Sequence, residues 1–356
     1  MMEKEKFDTE LVMSRLAEVY DPELNRSIVE LGMVERIEAK DGRLTVKIKL
    51  TIPGCPLKNR IQSDIEKALS DIPEIREIKI DFSAMTAEER KNLTKQLKGK
   101  DPSESFARKN VKNVILVASG KGGVGKSTVT VNLAAAVARR GFKVGVLDAD
   151  IYGFSIPRML GIKGAPTVID NTIIPLDSYG IKVISMGFFI SESESVIWRG
   201  PLVHKAVTQF LSDVYWDDLD YLFIDLPPGT GDVALSVANT AKGVNSILVT
   251  TPQPGAYMVA SRIGQLVDKF DIKMLGVVEN MSYFLAPDGK KEYIFGTGGG
   301  TELSERMRIP LLGQIPLETA IREGGDLGKP IALSDNSTPA SVEFGKIAEK
   351  IIAAAG

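Results

Sequence analysis

The sequence has one cysteine, Cys55, and one histidine, His204, in 356 residues. A single thiol excludes an internal disulfide and any metal site built from several thiolates of one chain. Net charge is nearly absent too, with 44 basic residues against 46 acidic ones and a formal charge of −2. Such a balance gives no overall attraction to nucleic acid or to an anionic membrane. No run of about 18 apolar residues occurs. The start, Met1-Met2-Glu3-Lys4-Glu5-Lys6, lacks the apolar core of a secretory signal. These absences predict a cytoplasmic protein with neither a membrane nor a nucleic-acid partner. His204 has no orienting partner visible in the sequence, which favours a surface or core role over a catalytic one. There is no internal repeat.

What the chain does have is hydrophobic residues in patterned runs, 44% of the total, over a length that suggests two globular domains. Residues 1–82 read as a small α+β domain. Thr9 to Val19 and Lys58 to Leu69 have helical periodicity, whereas Leu44 to Leu50 and Ile75 to Phe82 alternate as half-buried strands do. Residues 83–113 turn polar and charged and read as a linker, with a possible helix near Ala87 to Leu97. In residues 114–356, short apolar runs alternate with longer helical segments: Val114 to Ala118, Val144 to Leu147, Val183 to Met186, Leu222 to Ile224, Ile247 to Val249 and Leu275 to Val278. That alternation predicts an α/β fold, a mostly parallel sheet covered by helices on both faces.

The first of these strands runs into Gly120-Lys121-Gly122-Gly123-Val124-Gly125-Lys126-Ser127-Thr128. Small residues there let successive backbone N–H groups point at phosphate oxygens, and a helix starting near Lys126 adds its positive end. This is the spacing of a P-loop. Lys126 is expected on the β and γ phosphates of ATP, and the Ser127 hydroxyl on Mg²⁺. Two further strands end in carboxylates, at Asp148-Ala149-Asp150 and at Asp225 before Leu226-Pro227-Pro228-Gly229-Thr230-Gly231-Asp232. Strand carboxyl ends are where such sheets bind ligands. Asp225 is assigned to the Mg²⁺ shell, Asp148 near the metal and Asp150 to positioning water. Taken singly, each could be a loop or cap aspartate. Gly229 and Gly231 could permit a switch movement or simply make a turn.

With Lys121 directly after its first glycine, the loop resembles the deviant Walker A motif of the MinD, ParA and nitrogenase-iron-protein class. Asp148-Ala149-Asp150-Ile151-Tyr152-Gly153, Trp198-Arg199-Gly200-Pro201, the segment after Asp225, and Glu279-Asn280-Met281-Ser282-Tyr283 are similar to the Mrp branch of that class. Tyr20-Asp21-Pro22-Glu23 and Thr51-Ile52-Pro53-Gly54-Cys55-Pro56 resemble the MIP-type, SufT-like module that precedes the ATPase in many Mrp proteins. The resemblance implies an ATP-hydrolysing homodimer in which Lys121 of each protomer reaches the phosphates bound by the other. It also implies that Asn280 reads adenine, and that Gln314-Ile315-Pro316-Leu317 lies beside the base.

Mrp ATPases carry iron–sulfur clusters to apo-proteins, and the family supplies a Cys-x-x-Cys pair just after its Ser-Tyr-Phe segment. Here that segment continues Leu285-Ala286-Pro287-Asp288-Gly289, with no cysteine. Two readings follow. In one, the protein is still a cluster-assembly factor: Cys55 from each of two protomers supplies two thiolates in all, and a client or a small thiol completes the set of four that a cluster takes. In the other, the ATPase is a nucleotide-switched regulator that binds a protein or DNA partner and carries no cluster. Cys55 itself is equally consistent with a ligand at a helix N-terminus and with a small cysteine in a turn. A metabolic kinase fits less well, since no second substrate site stands out.

Overall fold

The structure, a computed structural model, describes residues 8–40, 42–52, 57–98, 110–150, 153–189, 200–227, 231–241, 243–253, 272–334 and 338–356. Cys55, Ile151, Tyr152, Trp198, Arg199, Gly229 and Thr230 lie outside the described residues, as does the Asp232 side chain. The chain divides into two compact units, one of residues 1–102 with 168–174 and one of the remainder.

In the first unit, β1 (Tyr20–Asp21) pairs with β2 (Arg26–Ser27), and a three-stranded sheet is formed by β3 (Val34–Lys40), β4 (Arg43–Leu50) and β5 (Glu77–Ala84). β4 is the central strand, antiparallel to β3 and parallel to β5. Its alternation puts Leu44, Val46, Ile48 and Leu50 on the buried face. Helix Lys58–Leu69 buries Ile61, Ile65 and Leu69, one residue per turn on a single stripe. The polar stretch expected to be a linker contains helix Ala87–Lys98, with Leu93 and Leu97 buried. The same unit takes in a hairpin from later in the chain, made by β8 (Thr167–Ile169) and β9 (Thr172–Ile174). Thr94 Oγ1 donates to the Ile169 carbonyl at 3.4 Å.

The second unit is built on eight strands: β6 (Val111–Ser119), β7 (Val144–Asp148), β10 (Leu176–Ser178), β11 (Ile181–Ser185), β12 (Leu219–Asp225), β13 (Val244–Thr250), β14 (Lys273–Glu279) and β17 (Leu311–Gln314). Their order across the sheet is β10-β11-β7-β12-β6-β13-β14-β17. Only the β10 edge is antiparallel. A small separate hairpin joins β15 (Phe284–Leu285) to β16 (Lys291–Glu292). Helix Lys126–Ala138 is buried on all sides from Val129 to Val137, as a mostly apolar helix at the centre of a layered fold is, and its two polar residues there, Thr130 and Asn132, are hydrogen-bonded. Helix Pro339–Ala355 contributes Phe344, Ile347, Ala348 and Ile351 to the same core. Among the described residues no helix is long and apolar enough to cross a membrane.

Strand register is what prepares the site. Asp225 of β12 lies level with Asp148 of β7, Val249 of β13 with Ser119 of β6, and Glu279 of β14 with Gln314 of β17. The carboxyl ends therefore form one rim. The register slips between Ser246 and Ile247, and Gly276 takes φ +151° where a Cβ would meet the Pro310 carbonyl. Gly276→Ala should thus lower stability by about 3 kcal/mol through backbone strain and overpacking. A fall in the urea midpoint at unchanged slope would show it, and an unchanged midpoint would refute the role given to this glycine.

Candidate functional site

Ser119 ends β6, and its hydroxyl donates to the Lys121 carbonyl at 3.1 Å, starting the turn. Gly123 and Gly125 both have φ +78°, a region that disfavours side chains. At Gly125 a Cβ would also collide with the Asn280 amide. The helix begins directly after, at Lys126, with Gly125 as its N-cap and no side chain capping its first N–H groups. Those N–H groups face the turn, and a helix start of this kind attracts anions.

Lys126 is 7% exposed, and its ammonium lies 2.6 Å from Asp225 Oδ1, a carboxylate that is fully buried. The contact is a short charge-assisted pair, and Asp225 is the ammonium's single partner among the described residues. An ammonium has three N–H donors, so one pair leaves capacity for an anionic ligand. Asp225 Oδ2 accepts from Ser127 Oγ at 2.5 Å, and Oδ1 accepts from Thr130 Oγ1 at 2.9 Å. Beside it, Asp148 Oδ2 accepts from Ser185 Oγ at 3.0 Å, and Oδ1 from the Asp150 backbone N–H at 3.2 Å. Burial, and after it the negative charge of Asp225, pushes the Asp148 carboxyl up to about 8. Burial raises Asp225 as well, against the opposing pull of Lys126.

A cavity of about 210 Å³ opens over the loop, lined by residues 121–128 with Ser119 and Asp150. It adjoins a second of about 320 Å³ through shared walls at Gly125, Thr128, Ser155 and Met159. The second is lined by Asn280, Met281, Pro316, Leu317 and Ile321, with Arg158, Arg322 and Asp326 also on its walls. The pair of cavities has the form of a polar compartment for phosphates beside a more apolar one for a flat ring. Asn280 Nδ2 donates to the Val124 carbonyl at 2.9 Å. Since a carbonyl only accepts, this bond fixes which way the amide is turned.

Lys121 lines the same loop cavity as Lys126 but has a different partner. Its ammonium donates to Gln253 Oε1 of the same chain at 3.0 Å. Thr130, Ser185 and Gln253 are neighbours that no motif marked, and Glu279, which opens the motif Glu279 to Tyr283, had no role assigned from sequence. Glu279 could have been suspected as an acidic residue closing an apolar strand, the same signal that marked Asp225.

With this geometry, residues 110–352 match the family model described as NUBPL iron-transfer P-loop NTPase, and residues 9–82 match that of an iron-sulfur cluster assembly protein. The chain belongs to the NUBPL-type iron-transfer P-loop NTPase family. It is 48% identical to a Mycobacterium leprae protein named "Iron-sulfur cluster carrier protein", over 95% of this chain and 91% of that one. A Bacillus subtilis protein of the same name is 42% identical, covering 86% and 87%. Among solved structures, a nucleotide-binding protein from Archaeoglobus fulgidus in complex with ADP is 36% identical, with a TM-score of 0.57 over 73% of this chain and 96% of that one. MinD from Pyrococcus horikoshii, complexed with Mg-ADP, shares the fold at 23% identity and a TM-score of 0.51, over 67% and 95%.

The fold class and the resemblance read from the sequence thus both hold for this family member. Its buried aspartates also make stability depend on pH. In protein free of nucleotide and Mg²⁺, folded Asp148 keeps its proton well above the ordinary value of 3.8, at which the unfolded chain releases it. Its contribution is therefore fully present below about 4 and is lost as pH rises through about 8. Asp148→Asn should flatten the fall in stability across that window, measured by denaturant titration at several pH values. An unchanged slope would place the proton elsewhere.

Proposed function

We propose that the chain is a Mg²⁺-dependent ATPase that acts as a homodimer in assembling iron–sulfur clusters or passing them to apo-proteins. The observation that carries the ATP reading is the buried Lys126 ammonium, which has three N–H donors and one partner, Asp225, among the described residues, beneath a glycine-rich turn and beside a helix start. Phosphate oxygens would satisfy the lysine and the uncapped N–H groups together. Asn280 supports adenine as the base. With Nδ2 held by Val124, its Oδ1 is left to accept, which suits the exocyclic amine of adenine and opposes the carbonyl of guanine.

In this reading, Gly120 through Thr128 hold the triphosphate, and Asn280 and Pro316 border the base. Ser127 Oγ and Asp225 present hard oxygen donors on one side of the cradle, the donor type Mg²⁺ takes, with Asp148 behind them. Bound Mg²⁺ would neutralise charge on the β and γ phosphates. Lys126 exchanges its contact with Asp225 for phosphate oxygens, while Asp150, on the wall of the loop cavity, positions water. Lys121 leaves Gln253 and reaches across to the partner's site, stabilising charge only when two protomers close.

The cluster is cargo in this proposal. Relatives sharing 37% to 48% identity and named as iron-sulfur cluster carriers support it. Among the described residues no group of three or more His, Cys, Asp or Glu side chains could hold a metal ion. Thiolate must come from Cys55 of two chains, completed by a client or an assembly factor. The second reading, a switch without cargo, draws its support from the β15–β16 hairpin. Phe284 and Leu285 pair with Glu292 and Lys291 at the position where the family's cysteine pair would follow, and the turn closes through Gly289 N–H to the Ala286 carbonyl.

Lys126→Ala should abolish ATP hydrolysis with the fold retained, and Lys121→Ala should slow turnover by about tenfold or more, as loss of a charge clamp does. Unchanged phosphate release in both variants would overturn the ATPase reading. Iron and sulfide should remain with the wild-type protein after anaerobic reconstitution and be lost in Cys55→Ala. Wild-type protein that retains no iron would leave the switch.

A further inference from the structure

We infer that Glu279 is a positioning residue for the nucleoside half of the site, a buried internal anion that sets the distance between the two walls of the larger cavity. The inference rests on the reading of that cavity as the place of the nucleoside.

Glu279 is 1% exposed. Its carboxylate accepts from three segments: Oε1 from Ser282 Oγ at 2.5 Å and from Gln314 Nε2 at 2.8 Å, and Oε2 from the Gly300 backbone N–H at 2.6 Å. No salt bridge reaches it among the described residues, so its charge is balanced by neutral donors and by the start of helix Gly299–Met307. Two of the three segments lead to the cavity. Asn280 and Met281, on one wall, are bracketed by Glu279 and Ser282. Gln314 ends β17, directly before the turn into Pro316 and Leu317 on the other wall. Backbone bonds close the pair: Ile315 N–H to the Glu279 carbonyl, Ser282 N–H to the Ile315 carbonyl and Leu317 N–H to the Tyr283 carbonyl, at 2.8, 2.9 and 2.7 Å.

The run Gly298-Gly299-Gly300 could pass for a second phosphate loop, since it too opens a helix. Its geometry says otherwise. Gly300 N–H is committed to Glu279 and Gly299 N–H to the Pro252 carbonyl at 3.1 Å. A Cβ on Gly300 would lie 2.7 Å from Glu279 Cβ, and one on Gly299 would lie 2.6 Å from the Thr251 and Pro252 carbonyl oxygens. The glycines let the helix start close over a carboxylate of its own chain, so the place an external anion would take is filled by Glu279. Only a carboxylate serves all three donors, because glutamine has one acceptor oxygen and would turn an NH₂ group toward at least one N–H or O–H donor.

The test compares Glu279→Gln with wild type for two probes in the presence of Mg²⁺: ATP, and inorganic tripolyphosphate, which lacks the nucleoside. Calorimetry should show ATP binding weakened by about tenfold in the variant, with tripolyphosphate within about twofold of wild type. Gln314→Met, which removes one donor at a half-buried position, should give the same split at about threefold, and it decides the matter should Glu279→Gln fail to fold. Equal weakening for both probes, or no change for either, overturns the positioning role. A wild type that binds ATP no better than tripolyphosphate overturns the nucleoside reading itself, and this inference with it.

Discussion

The contact between Lys126 and Asp225 is the constraint around which the second unit is arranged. An ammonium and a carboxylate, both withdrawn from water, are tolerated only where other polar groups surround them. Asp225 has Ser127 and Thr130 on its oxygens. Lys126 has three N–H donors and only Asp225 as a partner among the described residues. This asymmetry gives the site its direction. The carboxylate is fully provided for by the protein, while the lysine is left with donors that an anionic ligand can use. The strand register that brings Asp148 level with Asp225 adds a second buried carboxyl, whose pKa is raised first by burial and then by the neighbouring Asp225 charge.

The glycine-rich turn before Lys126 was legible in the sequence. A P-loop is a local structure: its residues are consecutive, its glycines answer to backbone angles, and strand and helix flank it directly. Gly123 and Gly125 at φ +78° are what that spacing demanded. The paired aspartates were legible for a related reason, as each closes an apolar run. Six central strands could be read from their apolar runs, but β17, with Leu311-Leu312-Gly313-Gln314, is too short and too rich in small residues to show a period. β8 and β9 hold contacts with residues far earlier in the chain, which no local pattern encodes. Thr130, Ser185 and Gln253 meet the site through tertiary placement alone, and nothing in their own neighbourhoods distinguishes them.

Glu279 and Asn280 show how far one strand end can serve two tasks. Successive residues leave β14 in opposite directions, the carboxylate to Gly300 and Gln314 and the amide to the P-loop carbonyl of Val124. The phosphate loop and the apolar cavity are thereby referenced to the same strand. A displacement of β14 would shift both compartments together, so their spacing is kept even if the sheet moves. That is a sounder basis for recognising a molecule with a phosphate end and a ring end than two sites tuned separately.

The single thiol bears on the chain from the other side. Soft sulfur is what iron–sulfur clusters require, and one chain here supplies one such ligand. A P-loop architecture is therefore combined with a thiolate set that one chain cannot complete. At the position where cysteines would follow Tyr283, a hairpin closes instead, with Lys291 lying 3.9 Å over the Tyr283 ring and Lys290 paired to Asp288 at 2.9 Å. These contacts give that segment a fold that needs no metal. If a cluster is carried, its stability must then depend on a second chain or a client from the outset. Release to a client would require exchange of fewer protein thiolates than a site with four ligands of its own, which makes weak holding and ready transfer consequences of the same shortage.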